Sequence, residues 1–276
     1  MTSSPRAKRF NWNDLGVRVL SAVVLIPAAV AAVAQGGWLF LLLVSIGAAL
    51  LSIEWALMSA PQAPSRVAIA VAAGVLLAVF AGDLGDFSAA FVLLVFGAAA
   101  AGLYARRLGA SAIDAAYGVL YIGWPCVVLV WLREQEPDGR AWTILLFTVA
   151  WASDIAAYVV GNTFKGPKLW PRFSPNKTWS GFVGGLLAGM IAAAVTVGFV
   201  DTGMRPVTAA IVGLVVALAT MGGDLWESAL KRRFGVKDAG HLIPGHGGLM
   251  DRVDGLMFAV VAIAAARLLA EFGGLA

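Results

Sequence analysis

The sequence predicts an all-helical protein that crosses a membrane several times. Hydrophobic residues make up 60% of the 276 residues and the mean hydropathy is +0.85, which is more apolar surface than a water-soluble core of this size can bury. The apolar residues are gathered into long segments, and most basic residues fall between alternate pairs of those segments. These observations favour a polytopic membrane protein with a cytoplasmic amino terminus.

Nine apolar segments are the predicted spans, and several approach the roughly 20 residues needed to cross the hydrocarbon layer. They cover residues 19–34, 38–59, 66–82, 87–105, 115–132, 141–161, 181–200, 206–230 and 255–272. Alanine and glycine are abundant in them, and small residues allow helices to pack closely where lipid supplies no hydrophobic drive. The segments therefore predict a helical bundle, which we treat as one membrane-embedded domain over residues 1–276.

The first span has two interpretations. Residues 1–15 form a basic amino-terminal segment, and residues 32–34 imitate the small-residue cleavage site of a secretory signal peptide. However, sixteen apolar residues are long for the core of such a peptide, and Pro27 lies in their middle. We therefore expect an uncleaved membrane anchor. The single Cys126 excludes an internal disulfide, so no oxidising compartment is implied.

The distribution of charge predicts the orientation of the bundle. With a cytoplasmic amino terminus, sixteen of the twenty Lys and Arg residues lie on the cytoplasmic side. Only Arg133, Arg140, Arg205 and Arg267 fall on the other side. This is the positive-inside bias of membrane proteins.

Four acids in or beside the predicted spans share one depth in this orientation. They are Glu54, Asp154, Asp224 and Asp254, all near the cytoplasmic leaflet. Acids within membrane helices are costly, so they suggest function. Two of them have structural alternatives: Glu54 is close enough to the membrane edge to reach water, and Asp154 could hydrogen-bond to a neighbouring helix.

The densest polar stretch of the chain runs from Asp224 to Asp254. If residues 206–233 form a helix, Asp224, Ser228 and Lys231 occur at i, i+4 and i+7 and share one face. A carboxylate, a hydroxyl and an ammonium in a row can hold a metal, orient a phosphate and neutralise its charge. This face is therefore a candidate site for phosphate chemistry.

A glycine-rich connection follows that helix. Its helix-breaking residues are Gly235, Gly240, Pro244, Gly245, Gly247 and Gly248. Glycine lets the backbone approach a ligand and point its amides at an anion. Asp251 and Asp254 come next at i, i+3, although Asp251 could instead be a helix N-cap. Two His and one Cys argue against zinc, so Mg²⁺ with oxygen ligands is the predicted metal.

A second basic loop is predicted at residues 162–180. It carries Lys165, Lys168, Arg172 and Lys177 on the cytoplasmic side. Three prolines in this loop forbid a continuous helix. A structural alternative is that its charges serve only the positive-inside bias.

Several motifs resemble those of the phosphatidate cytidylyltransferases, also called CDP-diacylglycerol synthases. The run SALKRRFGVKDAGHLIPGHGGLMDRVD, from Ser228 to Asp254, is similar to the family signature position by position and without a gap. Ser174-Pro-Asn-Lys-Thr resembles the family's S-P-x-K-T motif, although Ser180 stands where many members have Glu. The pair Glu54-Trp55 and the S-D-x-x-A-Y-x-x-G helix containing Asp154 resemble further family features.

The resemblance implies transfer of CMP from CTP to phosphatidic acid in the membrane, giving CDP-diacylglycerol and pyrophosphate. The implied catalytic residues are Asp224, Ser228, Lys231, Asp251 and Asp254. Of these, the Mg²⁺ ligands are Asp224, Asp251 and Asp254. The implied substrate-binding residues are Ser174, Lys177, Lys237, Asp238, His246, Gly247, Gly248, Arg252 and Asp154. The implied location is the bacterial plasma membrane, with the site facing the cytoplasm; a second cation and a homodimer are left open.

Other functions are weighed against this one. A CTP-dependent lipid kinase or an ether-lipid cytidylyltransferase would use the same nucleotide on another lipid. An anion transporter with broken helices is an alternative from another class, but it should show paired halves and polar residues near the membrane midplane. No Walker-type phosphate loop occurs, and the basic loops lack the fold context of nucleic-acid readers.

Overall fold

The computed structural model describes residues 23, 27–240, 242 and 247–273. Residues 27–35 are helical, and eight long helices and a β-hairpin follow within the described chain. These elements are α1 (Gly37–Ser59), α2 (Pro64–Asp83), α3 (Phe87–Arg107), α4 (Ala112–Glu134), α5 (Gly139–Phe164), β1 (Lys168–Trp170), β2 (Ser174–Thr178), α6 (Trp179–Thr196), α7 (Pro206–Arg233) and α8 (Met250–Glu271).

All eight helices are long and apolar enough to span a membrane. The chain is therefore a polytopic membrane protein, as predicted, and α1 to α8 correspond to the second to ninth predicted spans. The first predicted span, residues 19–34, lies partly outside the described residues. The last connection is shorter than predicted, because α7 continues to Arg233 and α8 already begins at Met250. Basic residues in a last helical turn and an acid in a first turn both suit the helix dipole.

Glycines lie where neighbouring helices cross most closely. A Cβ on Gly213 of α7 would lie 2.5 Å from the carbonyl oxygen of Gly189 in α6. A Cβ on Gly97 of α3 would lie 2.8 Å from the Cα of Gly74 in α2. Neither helix pair could approach this closely with a larger residue, which confirms the expected role of small residues in packing.

Successive helices run in opposite directions, so their connections alternate between the two ends of the bundle. The end that carries residues 60–63, 108–111, 165–178, 234–240 and 247–249 is called the site end below. The four Arg residues predicted outside the cytoplasm belong to helix termini at the opposite end.

A β-hairpin occupies most of the connection between α5 and α6, where the sequence predicted a loop. Lys168 pairs with Thr178 and Trp170 with Ser174 in antiparallel register. The absence of a continuous helix is confirmed. The strand pairing was missed because this stretch lacks the alternating apolar pattern that predicts a hairpin. The Thr178 hydroxyl accepts a bond from Gly181 N at 3.2 Å, so the hairpin runs directly into the N-cap of α6.

Trp55 joins α1 to α4 and to the start of the connection after α7. Its ring is fully buried, and its Nε1 donates to Asp114 O at 2.9 Å. The rings of Tyr117, Tyr121 and Phe234 each lie with their centroids 5.6 Å from that of Trp55. Aromatic contacts of this kind add to the packing energy of the apolar area they bury. The residue before Trp55, Glu54, is thereby held at a fixed place.

Replacement of Gly213 by alanine tests the crossing of α6 and α7. The new methyl group would overlap the Gly189 backbone, so the free energy of unfolding should fall by about 1–3 kcal/mol. Thermal unfolding in detergent measures the change. Gly222→Ala is the matched control, because it lies on the same helix and its Cβ would meet nothing within 4 Å. Equal effects of the two substitutions would contradict the proposed contact.

Candidate functional site

A cavity of about 530 Å³ lies at the site end, between α5, the hairpin, α6, α7 and α8. This volume is typical of small-molecule sites, which occupy roughly 300–1,000 Å³. Predicted site residues that line it are Asp154, Lys177, Asp224, Ser228, Asp251, Arg252 and Asp254. Four separate elements thus bring their polar residues to one place. Asp154 faces the cavity, which favours a functional interpretation of this acid over a purely structural one.

The close crossing of α7 and α8 sets the position of two acids. A Cβ on Gly255 would lie 2.7 Å from Thr220 Cγ2 and 3.3 Å from Asp224 Oδ1, and one on Gly223 would lie 3.1 Å from Gly255 Cα. Each glycine precedes or follows a site acid in the chain. The crossing therefore brings Asp224 and Asp254 to the same cavity.

Lys177 connects the hairpin to α7. Its Nζ lies 2.6 Å from Asp224 Oδ2, and both side chains are partly exposed in the cavity. The two ends of the hairpin are also joined to each other, because the Ser180 hydroxyl donates to Lys165 O and lies 3.0 Å from the Thr178 hydroxyl. The residue that replaces the commoner Glu therefore has a structural role in closing the hairpin.

Lys231 lies between two carboxylates. Its Nζ is 2.5 Å from Asp251 Oδ1 on α8 and 2.5 Å from Glu227 Oε2 on its own helix. Glu227 is fully buried and was not predicted as a site residue. It precedes Lys231 by four positions in α7, and this i,i+4 spacing of opposite charges was a signal for the pair. Lys231 is thus held in place by both acids.

Asp251 ties α8 to the connection before it. Its Oδ2 accepts a bond from Ala239 N at 3.2 Å. The N-cap of α8 is Leu249, and Asp251 lies inside the first turn. The alternative that Asp251 serves as the N-cap is therefore wrong. A carboxylate in the first turn still stabilises the helix through its interaction with the helix dipole.

The Glu54 side chain on α1 contacts the start of α8. It is fully buried, so the alternative that its side chain reaches water is wrong. Oε1 accepts from Leu249 N at 2.8 Å and Oε2 accepts from Met250 N at 2.7 Å. The first N–H groups of a helix have no partner within it, and the Glu54 carboxylate supplies acceptors for those at the start of α8.

Some predicted site residues lie apart from the cavity. Lys237 and Asp238 are exposed on the connection, and Ser174 is half-buried on β2 without lining the cavity. Gly247 has a φ of 86°, which only glycine adopts easily. His246 lies outside the described residues. The predicted roles of all these residues, including that of Gly248 beside Asp251, stay predictions.

The predicted metal ligands Asp224, Asp251 and Asp254 all line the cavity. Within the described parts of the chain, no three His, Cys, Asp or Glu side chains form a group that could hold a metal ion in this arrangement. Instead, lysine ammonium groups contact Asp224 and Asp251. The assignment of Asp224, Asp251 and Asp254 as metal ligands therefore stays a prediction.

Comparison with known proteins supplies the family. The profile of the Cytidylyltransferase family matches residues 16–269. The chain belongs to this family. Proteins named phosphatidate cytidylyltransferase from Brucella melitensis biotype 1 and Brucella suis biovar 1 are each 46% identical to it over 164 residues, or 58% of this chain. One of the same name from Staphylococcus saprophyticus is 40% identical over 148 residues, or 54% of this chain. The chain covers 57% of the length of each of these relatives.

Replacement of Lys231 by methionine tests the ion-pair network. Glu227 and Asp251 would lose their shared cation, so the free energy of unfolding should fall by about 3–5 kcal/mol. Thermal unfolding in detergent measures the loss. The double variant Lys231→Met/Glu227→Gln should be more stable than Lys231→Met, since it no longer buries the unpaired Glu227 charge.

The control for this substitution is Lys168→Met. The Lys168 ammonium is exposed and its contact with Asn176 O is long, at 3.4 Å, so the effect should stay within about 0.5 kcal/mol. A Lys231→Met protein as stable as the control would show that the buried contacts do not contribute.

Proposed function

We propose that this protein transfers CMP from CTP to phosphatidic acid and so forms CDP-diacylglycerol and pyrophosphate. The observation that carries the proposal is the meeting of Asp224, Asp251, Asp254 and Lys177 around one cavity at the end of a membrane bundle, with Lys231 bound to Asp251 beside it. Family membership and the names of the bacterial relatives support the same reaction. A cavity at this level is accessible to a lipid headgroup and to a water-soluble nucleotide.

The reaction joins two anions. An oxygen of the phosphatidate phosphate attacks the α-phosphorus of CTP, the new P–O bond forms, and the bond to the bridging oxygen breaks so that pyrophosphate leaves with its electron pair. A phosphate monoester has a second pKa of about 6 and is already largely ionised at neutral pH. No strong base is therefore needed, and His246 is not assigned that role. The main barrier is the repulsion between negative groups.

Basic side chains in the cavity and beside it would lower that repulsion. Lys177 stands on the hairpin and can exchange its contact with Asp224 for a phosphate oxygen. Lys231 is fixed by Glu227 and Asp251, so its charge is already oriented when the substrates arrive. Ser228 and Arg252 line the same cavity and would contact phosphate oxygens from α7 and α8. Preorganised charges of this kind stabilise the transition state without further rearrangement.

A bound Mg²⁺ would take the place of the lysine ammonium groups that contact Asp224 and Asp251. Its ligands would be carboxylate oxygens, which hard cations prefer. Asp224 and Asp254 both line the cavity where α7 and α8 cross, and neighbouring carboxylates repel each other unless a proton or a cation lies with them. These two residues would hold the metal, with Asp251 as the third predicted ligand. When bound, Mg²⁺ would neutralise charge on the transferring phosphoryl group; a second cation stays open.

The site end is proposed to face the cytoplasm of a bacterial cell. The excess of Lys and Arg at this end supports that orientation, and the relatives named above come from bacteria. Phosphatidic acid would then enter from the inner leaflet of the plasma membrane and CTP from the cytoplasm. Assembly into a homodimer stays a prediction.

Parallel assays with CTP labelled at different phosphorus atoms test the reaction. With purified protein, phosphatidic acid and Mg²⁺, α-labelled CTP should transfer its label to the organic phase and release pyrophosphate. γ-Labelled CTP should leave the lipid unlabelled. Lipid labelled from the γ-position, with release of CDP, would instead identify a lipid kinase and contradict the proposal. An ether-linked lipid acceptor in place of phosphatidic acid separates the remaining cytidylyltransferase alternative.

Asp254→Asn should abolish transfer in the same assay while insertion into the membrane stays intact. The substitution keeps the shape of the side chain but removes the charge opposite Asp224, so the rate should fall by at least about 100-fold. Asp201→Asn is the control, because Asp201 is exposed in the connection between α6 and α7 at the opposite end. Full activity of Asp254→Asn would remove this residue from the mechanism.

A further inference from the structure

We propose that Glu54 is a positioning residue of the transfer reaction, because it holds the first turn of α8 and so places Asp251 and Asp254 in the cavity. The inference rests on the proposed function for its kinetic part. Its structural part concerns contacts between α1 and α8 and can be tested without any substrate.

The contact is made by both oxygens of one carboxylate. Oε1 accepts from Leu249 N and Oε2 from Met250 N, at 2.8 and 2.7 Å. The two partners are 195 and 196 residues away in sequence, so the bond joins the first of the eight helices to the last. Bonds to charged groups are stronger than neutral ones, and this one is shielded from water.

The first turn of α8 depends on hydrogen-bond acceptors from another helix. Its N-cap residue, Leu249, has no side-chain group to accept the free N–H groups of the first turn. Most of the bundle's other helices begin with a local cap or with proline; Asp86, Ser111 and Thr178, for example, cap α3, α4 and α6 with their own side chains. In α8 the capping group is supplied by a different helix. The position of α8 along its axis is therefore set by α1.

Two glycines make room for the Glu54 carboxylate. A Cβ on Gly240 would lie 2.7 Å from Glu54 Oε1, and one on Gly248 would lie 3.1 Å from the same atom. The Gly248 Cβ would also lie 2.8 Å from Asp251 Oδ2. Gly240 and Gly248 thus bring two described parts of the connection between α7 and α8 against the Glu54 carboxylate. Glycine allows this approach because it has no side chain.

The consequence for the site follows from helix geometry. Asp251 directly follows the anchored Met250, and Asp254 lies one turn further along α8. A shift or rotation of the first turn would move both carboxylates relative to Asp224 and Lys231, which belong to another helix. Glu54 itself does not line the cavity. Its effect on the reaction would therefore act through the acids of α8.

Glu54 is itself held in place by the packing of its neighbour in the chain. The neighbouring Trp55 is buried, bonded to Asp114 O and surrounded by aromatic rings. Because this packing holds the C-terminal half of α1, the carboxylate has little freedom to follow a displaced α8. Replacement of residues that orient site groups without contacting the substrate commonly lowers activity by roughly 10–100-fold.

The first test compares Glu54→Gln with wild type. Glutamine has the same size but only one acceptor oxygen, so one of the two amides loses its partner. Hydrogen exchange of a peptide that covers residues 247–257 should become faster, while the exchange of α2 and α3 stays unchanged. The turnover number for transfer should fall by about 10–100-fold, with little change in KM for the lipid.

Ser52→Ala is the matched control on the same helix. Ser52 is also buried and polar, but its hydroxyl donates only to Ala48 O within α1, at 2.7 Å. Its replacement should change neither the exchange at the start of α8 nor the turnover number.

A second variant approaches the same contact from the other side. Gly240→Ala would push the Glu54 carboxylate away from the amides without changing α1 or α8. It should reproduce the faster exchange and the slower turnover of Glu54→Gln. The double variant should be little worse than either single one, since both remove the same contact and such effects are not additive. Gly240→Ala also keeps the proposal testable if Glu54→Gln does not fold.

Three results would overturn the proposal. Full turnover of Glu54→Gln despite faster exchange would show that the anchor does not matter to the reaction. Slower turnover with unchanged exchange at residues 247–257 would show that Glu54 acts in another way. Faster exchange throughout the bundle, with a lower unfolding temperature, would assign it a general role in stability.

Failure of the proposed function itself would be recognised separately. In that case wild-type protein would not transfer CMP to phosphatidic acid. The exchange measurements need no substrate and would still decide whether Glu54 holds the start of α8.

Discussion

Contact between α7 and α8 at Gly223 and Gly255 is the constraint on which the arrangement of the site depends. The two helices approach until a Cβ on either glycine would overlap the other helix. Asp224 and Asp254 are the neighbours of these glycines in the chain, so the same contact that packs the helices opposes their carboxylates. Packing and chemistry are thus set by one feature. A bundle with larger residues at the crossing could keep its fold and still lose the site.

Opposed carboxylates in a membrane protein need nearby positive charge. The acids of α7 and α8 that meet here are Asp224, Glu227, Asp251 and Asp254. Two lysines supply ammonium groups, Lys177 from the hairpin and Lys231 from within α7. The four acids outnumber these two lysines, which supports the proposed binding of a cation. In the proposed reaction, a divalent ion would add positive charge among the acids. The phosphates of the nucleotide that arrives with it would add negative charge near the lysines.

The sequence predicted the residues of the site more completely than the contacts between them. The face of α7 with Asp224, Ser228 and Lys231 follows from a 3.6-residue period, and the acids of α8 follow from their i, i+3 spacing. The i,i+4 spacing of Glu227 and Lys231 was an available signal for their contact, but no period shows that Glu54 caps a helix 195 residues away. A long-range contact has no local pattern. The cost of an acid within a membrane span and the resemblance of the Glu54-Trp55 pair to a family feature indicated that this position mattered, but neither indicated its contact with α8.

The bounds of the elements show the same distinction. Apolar length predicts the spans well, because a helix in lipid must satisfy its own backbone and cannot stop within the hydrocarbon layer. Outside that layer water can satisfy the backbone, so hydropathy no longer defines where a helix ends. For this reason the predicted spans stop at residue 230 and resume at residue 255, whereas α7 continues to Arg233 and α8 begins at Met250. The hairpin was missed for a related reason, since it depends on pairing between strands of three and five residues.

Anchors at both ends of α8 determine which part of the site can move. At the site end Glu54 holds its first turn, and at the opposite end the buried Arg267 contacts Asp138 of the α5 N-cap at 2.5 Å. A helix fixed at both termini cannot shift to admit a substrate without breaking a bond to a charged group at one end. The hairpin is mostly exposed, and its Lys177 is joined to the site by an ion pair that water can reach. Weakly buried segments open at low free-energy cost. Substrate entry is therefore expected to displace the hairpin, while α7 and α8 keep the acids in place.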